Sequence, residues 1–122
     1  MAAIATVAWT VLEPGDHLLT LDSLYGGTRN LFEDVVRTFG VDVEYVDATD
    51  PAAVTGSVRD ETALIWLESP SNPLLKLCDI EGVCDGVGDR NVRVAVDNTF
   101  ATPYCQNPLA LGADLSVHST TK

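Results

Sequence analysis

Val92-Arg93-Val94-Ala95-Val96-Asp97-Asn98-Thr99-Phe100 is the stretch on which the fold turns. Three valines and an alanine within five positions read as a short strand, apolar on both faces except at Arg93. A strand buried on both sides belongs inside a parallel sheet covered by helices. The apolar run stops at Asp97 and passes into Asn98 and Thr99. In open α/β sheets ligands bind beyond the carboxyl ends of the strands, so a carboxylate fixed there is placed to hold the positive end of a bound group. Taken alone, Asp97 reads equally well as a turn cap, because Asp and Asn favour loops.

The segments on either side repeat the pattern. Residues 2–12 are apolar and helix-compatible, and Glu13-Pro14-Gly15-Asp16 ends them. His17-Leu18-Leu19-Thr20-Leu21 reads as a strand, with Asp22 to Gly27 as its loop. From Thr28, the spacing of Leu31, Val35, Val36 and Phe39 predicts one apolar helical face, with Gly40 as C-cap. Val41 to Val46 alternates and predicts a strand with one more exposed face. Asp50-Pro51 opens a short helix to about Val58, Ala63 to Leu67 is a buried strand, and Asp79 caps a helix to about Val87. After Asn107-Pro108 come a helical turn, Gly112 and a last strand, Ala113 to Val117. Strand and helix alternating in this way predict an α/β domain with a mostly parallel sheet. Parallel strands would bring their polar ends, Asp22 to Tyr25, Glu68 to Asn72, Asp97 to Thr99 and Ser119 to Lys122, to one pocket.

Length and composition bound the rest. The 122 residues make one domain at most, 46% hydrophobic and 20% charged, which is enough apolar material for a packed core. Seven Lys and Arg against 18 Asp and Glu leave a net charge of −11, which argues against nucleic acid and anionic membrane as partners. No uninterrupted apolar run of about 18 residues predicts a membrane span, and Met1 to Leu12 lacks the basic start and cleavage site of a signal peptide. Cys78, Cys84 and Cys105 are odd in number and form no C-x-x-C pair, so a reducing, cytoplasmic setting with inert thiols is expected, and no metal site.

The polar ends differ in chemistry. Ser119-Thr120-Thr121-Lys122 offers hydroxyls, backbone amides and an amine, a set suited to a phosphate and to a carbonyl captured as a Schiff base; by itself it reads as an exposed polar tail. Asn72, between Pro70 and Pro73, sits where a fixed donor to a ring oxygen would be needed, although a proline-bracketed turn would look the same. Tyr25-Gly26-Gly27-Thr28 follows a strand and opens a helix, placing a phenol that can stack on an aromatic ring and move protons. Gly82, Gly86 and Gly88 lie before a strand rather than after one, the wrong polarity for a dinucleotide phosphate loop. No G-x-S-x-G elbow supports a hydrolase.

Tyr25-Gly26-Gly27-Thr28, Glu68 to Pro73, Val96 to Phe100, Leu111 to Asp114 and Ser119 to Lys122, in this order and spacing, resemble the Cys/Met-metabolism family of pyridoxal-phosphate (PLP) enzymes. Met1-Ala2-Ala3 resembles that family's Ser-Gly-Met-Ala-Ala loop without its first two residues. The resemblance implies the aspartate-aminotransferase-like fold type I, of which residues 1–122 would be an incomplete large domain. It implies that Lys122 carries the cofactor covalently and shuttles protons, that Asp97 pairs with the ring nitrogen, and that Tyr25 stacks on the ring and takes part in proton transfer. It also implies that Asn72 and Thr99 lie near the ring's phenolic oxygen, and that Ser119, Thr121 and the Met1 backbone amide hold the phosphate.

The implied activity is β/γ-elimination or γ-replacement on sulfur amino acids or O-acyl-homoserines, of the cystathionine gamma-synthase or gamma-lyase type. The implied partners are a small amino-acid substrate and, for a full-length form, further copies in a homo-oligomer. Gly27 stands where methionine gamma-lyases carry a cysteine, and Leu109-Ala110-Leu111-Gly112 looks most like synthase or gamma-lyase members. The resemblance also leaves an N-terminal arm, later strands and a C-terminal domain outside the chain. Were Lys122 the terminus, its α-carboxylate would repel phosphate and an open sheet edge would favour aggregation, so weak cofactor binding and little turnover are expected. A truncated remnant without activity or a cofactor-binding interaction module is the alternative, and a generic nucleotide-binding domain the third.

Overall fold

The computed structural model describes all 122 residues, Met1–Lys122. Five strands form one sheet in the order β2-β1-β3-β4-β5, every neighbouring pair parallel. They are β1 (His17–Leu21), β2 (Asp42–Val46), β3 (Thr62–Glu68), β4 (Arg93–Asp97) and β5 (Leu115–Val117). Val94, Ala95 and Val96 of β4 are buried and Arg93 is exposed, the pattern expected of a strand covered on both sides. All five residues of β1 are buried as well, whereas β2, at the edge, keeps a half-exposed face.

From β1 the chain steps outward to β2, then returns across β1 to β3 and continues to β4 and β5. Right-handed crossovers therefore place the helix after β1 on one face and those before and after β3 on the other. The first of these is α2 (Gly26–Leu31), which runs on through a π turn, Phe32–Val36, and a 3-10 turn, Arg37–Phe39. α3 (Pro51–Gly56) and α4 (Ile80–Val87) pack against each other on the opposite face. Asp50 and Asp79 cap them, accepting from the amides of Ala52 and Gly82. Their close approach needs Gly86, where a Cβ would lie 2.5 Å from Thr55 Cγ2. The glycines of α4 thus serve helix packing and not a phosphate.

The α2 face differs from the expected one. Thr28, Phe32 and Val36 are buried, Leu31 and Val35 are half-buried, and Phe39 is exposed. The π turn adds a residue to the helical repeat and rotates the following side chains, so a pattern read at uniform spacing drifts off the core. Phe32 meets Trp66 of β3 edge-on at 5.8 Å, while Phe39 pairs with Trp9 of α1 (Ala2–Val11) at 5.0 Å. Gly40 ends the run at φ 88°, as expected of a C-cap.

Two further differences lie near the carboxyl ends. A short helix, α5 (Thr102–Cys105), follows β4 where no element was expected. β5 begins at Leu115 rather than Ala113, because the Asp114 carboxylate accepts from the Val94 amide and from Arg93. A side chain there takes the place of a ladder bond.

Candidate active site

The chain diverges in opposite directions after β1 and after β3, which lie side by side, and this topological switch point opens a crevice at the carboxyl ends of the strands. A cavity of about 470 Å³ occupies that end of the molecule, within the size range of small-molecule sites. Tyr25 reaches it from the β1 loop, Asn72 from the β3 loop, Asp97 and Thr99 from the end of β4, and Ser119, Thr121 and Lys122 from the segment after β5. Met1 and the first turn of α1 close the remaining side. All eight residues expected from the sequence therefore line one cavity, drawn from five separate segments.

Each arrives by a local cause. The β-branched strands end together because they are parallel and in register, Glu68 beside Asp97 and Asp97 beside Val117. Asp97 turns the chain: its Oδ1 accepts from the Thr99 amide at 3.0 Å. Thr99 Oγ1 accepts in turn from the Ser119 amide at 2.9 Å, tying the loops after β4 and β5. Ser119 and Thr121 hydroxyls lie 2.9 Å apart. At α1 the first hydrogen bond runs from the Ala5 amide to the Met1 carbonyl, and no side chain caps the helix. The amides of its first turn consequently have no intrahelical partners, and Met1 to Ile4, at the positive end of the helix dipole, line the cavity. Gly27 makes room for the Tyr25 ring, since a Cβ there would sit 2.6 Å from Tyr25 Cε1.

Glu68 was grouped with the polar ends in sequence but was not expected as a site residue. The structure buries it to 5% exposure, with Oε1 accepting from the Asn72 amide at 2.7 Å and Oε2 from the Tyr25 amide at 2.9 Å. Burial, with the neighbouring Asp97 charge adding to it, pushes its carboxyl up to about 7 against the opposing pull of the two amides. The available signal was an acidic residue closing an otherwise apolar strand. Gln106 was not legible at all: its amide nitrogen donates to Ser69 O at 2.9 Å and to Asn98 Oδ1 at 2.8 Å, joining three loops from outside any motif.

The donor set fits PLP. A carboxylate at the end of β4, an amine, two hydroxyls and a helix N-terminus with free amides supply one partner each for a ring nitrogen, an aldehyde and a phosphate. The family model for Cys/Met metabolism PLP-dependent enzymes matches residues 1–122, the whole chain. The chain belongs to that family.

Members of the Cys/Met metabolism family similar to it include a probable cystathionine gamma-synthase of Herpetosiphon aurantiacus, 44% identical over 97% of this chain and 37% of that protein. A cystathionine beta-lyase of Coxiella burnetii is 45% identical over all of this chain and 32% of its own length. The crystal structure of metB from Corynebacterium glutamicum superposes with a TM-score of 0.98 at 43% identity, covering 100% of this chain and 32% of that one. The chain thus spans about a third of the length of the relatives it matches. The α/β fold and the PLP dependence of the family agree with the resemblance read from the motifs. No helix is long and apolar enough to cross a membrane.

Proposed function

We propose that residues 1–122 are the cofactor-holding part of the large domain of a PLP-dependent transsulfuration enzyme, acting by β/γ-elimination or γ-replacement on sulfur amino acids or O-acyl-homoserines. The observation that carries this reading is the gathering of Asp97, Tyr25, Asn72, Ser119, Thr121 and Lys122 around one cavity at the switch point. PLP, when bound, supplies the electron sink that stabilises negative charge at the substrate's α-carbon.

The chain's own residues divide the remaining work. Asp97 presents its carboxylate to the ring nitrogen and favours a proton there. Tyr25 would stack on the ring, and its phenol would be a proton donor and acceptor for the leaving group. Asn72 and Thr99 orient the ring through its phenolic oxygen. Ser119, Thr121 and the Met1 amide anchor the phosphate, with the dipole of α1 behind them. Lys122 would form the covalent link to the cofactor, and its amine would be the base that takes the proton from the substrate's α-carbon.

The similarity to both a gamma-synthase and a beta-lyase supports the transsulfuration class without choosing a reaction within it. Further copies in a homo-oligomer and a cytoplasmic location belong to the same proposal. Incubation with PLP, borohydride reduction and peptide mapping test it. The expected result is a pyridoxyl group on Lys122 that is lost in Lys122→Ala. Label spread over surface amines, or unchanged in Lys122→Ala, would overturn the reading.

A further inference from the structure

The two loops that flank the switch-point crevice are joined by one buried carboxylate. Glu68 closes β3, and its side chain accepts one backbone N–H from each loop, Tyr25 on one oxygen and Asn72 on the other. Tyr25 and Asn72 are 47 residues apart in sequence and both line the cavity. A buried Ser23–Ser71 hydroxyl pair at 3.0 Å and the exposed Lys76–Asp22 ion pair at 3.1 Å also tie these loops, farther back from the cavity lining. Glu68 is the tie that touches both cavity residues and can take up a proton.

We infer that Glu68 is a positioning residue of the site: ionised, it holds the Tyr25 and Asn72 segments in one arrangement, and protonated, it releases one of them. The reason is acceptor count. An ionised carboxylate offers both oxygens to N–H donors, whereas a carboxylic acid carries a proton on one of them and keeps a single strong acceptor. Its surroundings bring no cation within pairing distance. Asp97 faces it in register from β4, the loop from β1 brings the Tyr25 amide, and its own loop brings the Asn72 amide and the buried Cys78 thiol, which donates to the Glu68 carbonyl at 3.5 Å. His118 and Lys122 line the same cavity, and neither forms an ion pair with Glu68. Burial beside a like charge raises its titration to about 7, so the exchange between the two arrangements falls near neutrality.

This inference rests on the proposed function for its consequence, since Tyr25 and Asn72 matter here as groups against the cofactor ring, but its first readout needs no cofactor. Backbone amide NMR of the chain from about pH 5 to about pH 9 follows Tyr25 and Asn72 directly. The expected result is a shared step with a midpoint near 7 at both amides, absent in Glu68→Gln and moved to lower pH in Asp97→Asn. Glu68→Gln is also expected to weaken PLP binding about tenfold above neutrality, where one charged acceptor is lost. Should Glu68→Gln not fold, the Glu68 carboxyl carbon of the unmodified chain decides. A midpoint shared with the two amides supports the clamp, and one in the ordinary carboxylate range overturns it. Amides that show no step near neutrality, or keep it in Glu68→Gln, overturn it too. Titrating amides in a chain that takes no PLP would support the clamp and overturn the cofactor reading.

Discussion

The two ends of the same parallel sheet handle their polar groups in opposite ways. At the amino end, His17 is buried to 1% exposure and its Nδ1 lies 2.8 Å from Thr62 Oγ1. Thr62 Oγ1 also accepts from the Arg59 amide at 2.8 Å, and His17 Nε2 lies 3.5 Å from Glu44 Oε2. Arg59 reaches Asp42 and Glu44 on the edge strand. Charges there satisfy one another. At the carboxyl end, Glu68 and Asp97 sit side by side with no ion pair to either, and the first-turn amides of α1 are unpartnered within the helix. The amino end sets a guanidinium against its carboxylates. The carboxyl end presents two carboxylates and free helix amides with no cation paired to them, an arrangement that a ligand bearing both a cationic and an anionic group completes.

The sharpest way to break the comparison is through pH, because the two ends oppose each other in sign. Glu68 has its folded value raised from 4.5 to about 7, so its contribution is present below the unfolded value and is lost as pH rises through the folded one. Burial chiefly, with Arg59 adding, lowers His17 from 6.5, so its contribution is present above 6.5 and is lost as pH falls. Measured by chemical denaturation, the stability of the parent chain relative to Glu68→Gln should fall by about 3 kcal/mol as pH rises from 5 to 8. His17→Gln should flatten the acid side instead. Parallel curves for parent and Glu68→Gln would show that both ends are ordinary buried polar clusters.

A smaller effect sharpens the functional half. Asp97→Asn keeps the turn, because the amide oxygen still accepts from Thr99, but removes the charge offered to the ring nitrogen. PLP affinity, followed by absorbance, should fall about tenfold while the melting temperature holds. Equal loss of both would assign Asp97 to structure alone. Smallest of all, Arg59→Ala at the amino end should leave the denaturation midpoint nearly where it is, its ion pairs being solvent-exposed, and leave PLP binding unchanged. A change in PLP binding would mean that the two ends are coupled through β3.

Much of this arrangement was legible before folding because short-range rules produce it. The valines of β4, the Asp caps of α3 and α4 and the left-handed Gly40 follow from local preference, and each appears where its residues place it. What escaped was non-local. The π turn that turns Phe39 outward answers to the fit of α2 against Trp66, and α5 opens on a left-handed Thr102 that propensity disfavours, at φ 63°. Gln106 finds Ser69 across 37 residues.

The chain's own order of residues determined the alternation of strand and helix, the polar stops at the strand ends and the family to which they belong. Only the tertiary structure decided that β1 and β3 are neighbours, that the crevice opens between them, and that Glu68 bridges its two walls. The reason is one of range. Propensity and pattern act over a few residues, whereas a buried carboxylate acquires its partners and its titration from segments that meet only when the sheet closes its ranks around it.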